Sequence, residues 1–143
     1  MTASSSRSAI AAVAAAVILA GCGGGSSFTS KADSICKDSS ARLKAIPRPK
    51  TLAGFAGYLD QASAEVHKAR TKLGALKPPA DKAGAYAAYL SALQGQIGVF
   101  DQARALAHAG KTREALLVLG RGRASAAALR ARAKALGLKG CSR

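Results

Sequence analysis

The sequence has no tryptophan, one methionine, two histidines and only 4% aromatic residues. So few rings exclude a stacking platform for single-stranded nucleic acid, which needs a row of aromatic faces. Acidic residues are also scarce, seven Asp and Glu against 22 Lys and Arg. Spread singly, they form neither the paired acids of general acid–base catalysis nor the carboxylate set of a bundle metal centre. His67 and His108 belong to no His-x-x-x-His or Glu-x-x-His spacing, and Glu65 and His67 are too close in sequence to share a helix face. Both histidines are expected at the surface, and no metal or cofactor is expected. No serine occupies a Gly-x-Ser-x-Gly turn. Gly110-Lys111-Thr112 ends like a phosphate-binding loop, but Ala105 stands where that pattern needs glycine and no strand precedes it. It reads as a helix cap. A Cys-x-x-Cys redox pair is missing as well. These gaps disfavour an enzyme and leave binding as the expected mode of action.

Alanine and positive charge are what the sequence has in quantity. Hydrophobic residues make up 49% of its 143 residues, but 35 of them are alanine. Alanine buries little area, so at about 25 cal/mol per Å² the core rests on the larger Leu, Ile, Val, Phe and Tyr and is thin for its length. That length suits one compact domain. The formal net charge of +15 favours anionic partners, whether lipid headgroups, wall polymers or nucleic acid, and equally serves solubility.

The N-terminus has its own organisation. Met1 to Ser8 is polar with Arg7 as its only charge, and Ala9 to Ala20 is an unbroken apolar run of twelve residues. At about 1.5 Å per residue that run cannot cross a hydrocarbon core of roughly 30 Å. It matches the apolar segment of a signal peptide. Leu19-Ala20-Gly21-Cys22 closes it, and this order resembles the lipobox of bacterial lipoprotein precursors, a likeness confined to about the first 26 residues. The resemblance implies that Cys22 receives a diacylglyceryl group and becomes the first residue of the mature protein. It would then be palmitate-like acyl chains that hold the protein at a membrane outside the cytoplasm. Each buried methylene contributes about 0.8 kcal/mol to such an anchor. A plain secreted protein with Cys22 removed or idle is the alternative. The expected division is a signal peptide over 1–21, a lipidated cysteine with a flexible Gly/Ser tether over 22–28, and a helical domain over 29–143.

Four amphipathic helices are expected in that domain. The first starts near Thr29 or Ser30 and carries Ala32, Ile35, Ser39, Leu43 and Ile46 on one face until Pro47 and Pro49 end it. A second, capped by Thr51, runs from Leu52 to about Leu76 with Leu52, Phe55, Leu59, Ala62, Val66, Ala69, Leu73 and Leu76 in a 3-4 alternation. Pro78-Pro79 opens a third, with Tyr86, Leu90, Leu93, Ile97, Phe100, Ala103 and Ala107 inward and Gly110 past its end. The fourth is capped by Thr112 and turns Ala115, Leu119, Gly122, Ala126, Leu129, Ala133 and Leu136 inward. Gly120 and Gly122 mark a weak point where it can bend or start late, and Gly137 ends it. The fold class is all-α, an antiparallel up-down four-helix bundle.

With Cys22 taken up by the lipid that the lipobox resemblance implies, two of the three cysteines remain. In an up-down bundle the fourth helix ends where the first begins, so Cys36 and Cys141 are expected to form a disulfide. Two free thiols are the alternative. Lys111 to Arg143 holds nine basic residues against the single acid Glu114. Arg123, Arg130 and Lys134 cluster on one flank of the fourth helix, with Arg121 and Arg132 on the other. This face could rest on anionic lipid or wall polymer, or be merely solvated. The expected function is that of a membrane-anchored envelope lipoprotein, a non-enzymatic binding or scaffolding module for a protein partner. Its alternatives are an electrostatic adaptor acting through the basic helix and a small-ligand carrier. Export argues against nucleic acid as a partner.

Overall fold

The computed structural model describes residues 24–143, with side chains from Ser27 onward. The apolar run and Leu19-Ala20-Gly21-Cys22 lie outside the described residues. The chain forms five α-helical segments: α1 (Gly24–Ala45), α2 (Gly54–Gly74), α3 (Ala83–His108), α4 (Thr112–Arg121) and α5 (Arg123–Ala135). A single turn of 3-10 helix, Ala80–Lys82, leads from Pro79 into α3. No strand occurs among the described residues, and the class is all-α. The segments α4 and α5 are the two halves of the expected fourth helix, so four helical arms pack together. Here α2 lies against α1 and α3, and α3 also carries α4 and α5.

Local chemistry accounts for most of the boundaries. α1 stops at Ala45, ahead of Pro47 and Pro49. At two other ends the chain closes in the same way. Gly110 and Gly137 take φ of +74° and +78°, a left-handed turn that costs glycine nothing. Lys111 N–H donates to Leu106 O at 2.9 Å and Gly110 N–H to Ala107 O at 3.0 Å; Leu138 and Gly137 repeat the pattern on Ala133 and Lys134 at 2.9 and 3.0 Å. Both are Schellman closures. Between α4 and α5 the backbone ladder continues, with Gly122 N–H on Val118 O and Ala126 N–H on Gly122 O. A Cβ on Gly122 would fall 2.8 Å from Val99 Cγ1, so glycine here lets the bent arm approach α3.

Three expectations need correction. α1 begins at Gly24 rather than at Thr29 or Ser30, so residues 24–28 of the expected tether are helical. The cause is Phe28, buried to 4% exposure, which extends the inward stripe of Ala32 and Ile35 by one turn. Burial of a phenyl ring outweighs the poor helix propensity of Gly-Gly-Ser-Ser. α2 begins at Gly54 rather than Leu52; the Thr51 hydroxyl accepts the Gly54 N–H at 3.2 Å, and Leu52 is 72% exposed. Thr112 is the first residue of α4 and does not cap it; Lys111 holds the cap position without a side-chain bond.

The core has two clusters. One gathers the start of α1, the end of α2, the start of α3 and the end of α5, through Phe28, Leu73, Tyr86, Tyr89, Leu136 and Leu138. Phe28 meets Tyr86 edge-on at 4.8 Å between centroids, and Tyr86 stacks on Tyr89 at 5.9 Å. The Tyr86 hydroxyl donates to Leu73 O at 2.8 Å. Burial pushes the Tyr86 and Tyr89 hydroxyls up to about 12. Tyr89 was not on the expected stripe; it lies one turn after Tyr86 and shares its face. The second cluster is built on Leu59, Ala103, Ala107 and Ala115, with the half-buried Phe55, Tyr58, Phe100, Leu106 and Leu119 packed against it.

Cys36 and Cys141 form the expected disulfide, with an S–S distance of 1.98 Å and Cα atoms 5.1 Å apart. Leu138, fully buried, carries the tail back over α1. Gly140 N–H then donates to Asp33 Oδ1 at 2.7 Å.

Candidate functional site: a cleft beside the disulfide

Past the disulfide, α1 borders a cleft of about 590 Å³. Its Ser39, Ser40, Ala41 and Leu43 line the space together with Val66 and Ala69 of α2, Tyr89 and Leu93 of α3 and Leu129 of α5. Protein interiors normally close such gaps to the density of an organic crystal. Here the tail, with Gly140 and Cys141, is wedged against α1 at one end. The volume falls within the range of small-molecule sites.

The floor of the cleft is apolar. Leu73 and Tyr89 are 1% and 2% exposed, and Ser39, at 5%, is the buried polar side chain in the wall. The rim carries only positive side-chain charge: Lys37 and Lys44, two turns apart on α1, and Arg143 on the tail. No Asp or Glu side chain lines it. Asp33 and Asp38 belong with Lys37 to a separate polar recess of about 460 Å³. Asp33 is engaged there by the Gly140 amide.

A second group of polar residues ties α2 to α3. His67 Nε2 lies 3.0 Å from Asp101 Oδ2, and His108 Nε2 lies 2.9 Å from Asp60 Oδ1. Ser63, 1% exposed, donates to Asp101 Oδ1 at 2.7 Å. Burial pushes the Asp101 pKa upward, but the bonds from Ser63 and His67 and the charges of His67 and Arg104 outweigh it and hold the carboxyl below its ordinary value. Because the carboxylate receives both Ser63 and His67, the histidine is not placed to take a proton from the serine. These are cross-helix ties. Both histidines are at the surface, as expected, but their partners were missed. The signal was present: Asp and His recur seven residues apart on each helix, as Asp60/His67 and Asp101/His108, and they pair crosswise. Likewise Glu65 accepts from Arg42 of α1 at 2.7 Å.

The five basic residues singled out in the fourth arm are all exposed: Arg121 at the end of α4, and Arg123, Arg130, Arg132 and Lys134 on α5. The bend at Gly122 divides them. None takes part in an ion pair among the described residues. Leu116 and Leu117 beside them on α4 are 51% and 57% exposed. No group of three or more His, Cys, Asp or Glu side chains gathers as a metal site among the described residues. None of the helices there is long and apolar enough to cross a membrane. Compared with known protein families, with characterised proteins and with solved structures, the chain matches none.

Proposed function

We propose that this protein is a non-enzymatic small-ligand carrier of the cell envelope, held at the membrane by an acylated Cys22 and loaded in the cleft beside its disulfide. The cleft carries this reading: an apolar space of about 590 Å³, walled by four helical arms and open at one side. The Cys36–Cys141 bond supports an oxidising compartment outside the cytoplasm. Helix ends gathered in the aromatic cluster, and the crosswise Asp–His pairs of α2 and α3, support an antiparallel up-down bundle as its frame.

Native mass spectrometry of the protein released gently from envelopes tests the reading. A bound mass is expected on the parent chain and is lost on Ala69→Leu or Leu93→Trp, which place bulk in the cleft. A folded parent with no bound mass and no thermal shift from envelope extract would count against the carrier function.

A second reading, an electrostatic adaptor, draws on the unpaired basic residues of α4 and α5 and the exposed Leu116 and Leu117. Such a face gains about 1 kcal/mol per basic residue near an anionic membrane. Its retention on anionic vesicles or wall polymer should collapse at high salt, and salt-insensitive retention speaks against it.

A further inference from the structure

If the cleft is the ligand site, its chemistry narrows the ligand. We propose that it takes a single-chain anionic amphiphile, with the chain laid along the floor and the acidic head held at the disulfide end of the rim by Lys37 and Arg143. This rests on the carrier reading above.

Three observations point to that class. The floor, with Leu73, Tyr89, Leu93 and Leu129, offers surface to a chain and few partners to a polar ligand. The cleft also has length, since its α1 wall extends from Cys36 to Lys44, about 12 Å at the helical rise. An extended chain matches that better than a compact molecule does. Finally, the side-chain charge at the rim is of one sign. Neither Lys37 nor Arg143 has an ion-pair partner among the described residues, so both cations are available to an incoming acid. Ser39 and Ser40 follow Lys37 within one turn of α1 and add hydroxyl donors. A carboxylate and a monoalkyl phosphate share this chemistry. A neutral head would leave the rim cations unanswered.

Calorimetric titration of the full chain tests the idea, using a Cys22→Ser form with its disulfide intact so that no acyl group of its own competes. The ligands are laurate, dodecyl phosphate, the neutral dodecanol and the longer myristate, each kept below its aggregation threshold. One laurate or one dodecyl phosphate is expected per chain, bound on the order of tenfold more tightly than dodecanol. Whichever of the two acids binds more tightly identifies the head. Myristate should gain little over laurate, because a twelve-carbon chain already spans the α1 wall of about 12 Å and two further methylenes stay in water. Lys37→Gln with Arg143→Gln should erase the advantage of the acids and leave dodecanol unchanged. Dodecanol binding as well as laurate would overturn the anionic class while the cleft stays a carrier site. Amphiphile binding that survives Ala69→Leu would place the site elsewhere and overturn both readings. No amphiphile binding at all would overturn this proposal, and a bound mass in the native spectrum would then preserve the carrier function alone.

Discussion

Replacing both Cys36 and Cys141 by alanine should cost this protein an unusually large part of its stability. The two residues are 105 positions apart, so the bond closes nearly the whole described chain into one loop. For a loop of about that size the chain-entropy account gives roughly 4 to 5 kcal/mol at 25 °C. Domains are typically stable by about 0.05 to 0.15 kcal/mol per residue, which for this length means roughly 6 to 18 kcal/mol. A core split into two clusters, the second of which fully buries only Leu59 and three alanines, belongs at the low end. The native contacts around the bond outlast its loss, because Leu138 stays buried and the Gly140 amide still meets Asp33. The variant should therefore fold to the same helical content but unfold at a markedly lower urea concentration, as followed by circular dichroism. Its dependence on urea should also steepen, because an uncrosslinked unfolded chain exposes more surface. An unchanged midpoint would refute the reasoning, since the crosslink would then be restricting nothing in the unfolded chain.

Gly140→Ala should destabilise by about 1–3 kcal/mol in thermal melts, since its Cβ would lie 2.6 Å from the Asp33 carbonyl oxygen, which is backbone and cannot swing aside; a melt equal to the parent's would contradict that packing. Alkaline pH should unfold the protein through its buried tyrosines. With both hydroxyls pushed from 10.0 up to about 12, the neutral forms stabilise the fold fully below pH 10, and this is lost as pH rises toward 12. Tyr86→Phe should halve that loss and, at neutral pH, cost about 1 kcal/mol for the bond to Leu73 O; an alkaline profile identical to the parent's would show that Tyr86 does not take part.

Much of the architecture was legible in spacing alone. Phe55, Leu59, Ala62, Val66, Ala69 and Leu73 recur at 3-4 intervals, and all of them are buried or half-buried in α2. The prolines and the left-handed glycines mark ends by their own backbone chemistry, and they do so wherever the helices later pack. A thiol pairing was equally accessible, since it needs only the chain ends brought together. The start of α1 was not, because the helix there is held by Phe28 meeting Tyr86, residues far apart in the chain. Ser63 and Tyr89 were missed for the same reason: their burial depends on what the neighbouring helix presents.

By itself, then, the sequence determined the all-α class, the stripe that each helix turns inward and the glycine closures, all of which arise from interactions within a few residues. Tertiary structure alone decided where α1 begins, which aspartate each histidine meets, and that Ser39 and Ala69 border a cleft rather than a closed seam. A cavity is a difference between the separation of helices and the reach of their side chains. That separation is set jointly by the aromatic cluster, the folded-back tail and the disulfide, and no local pattern encodes it.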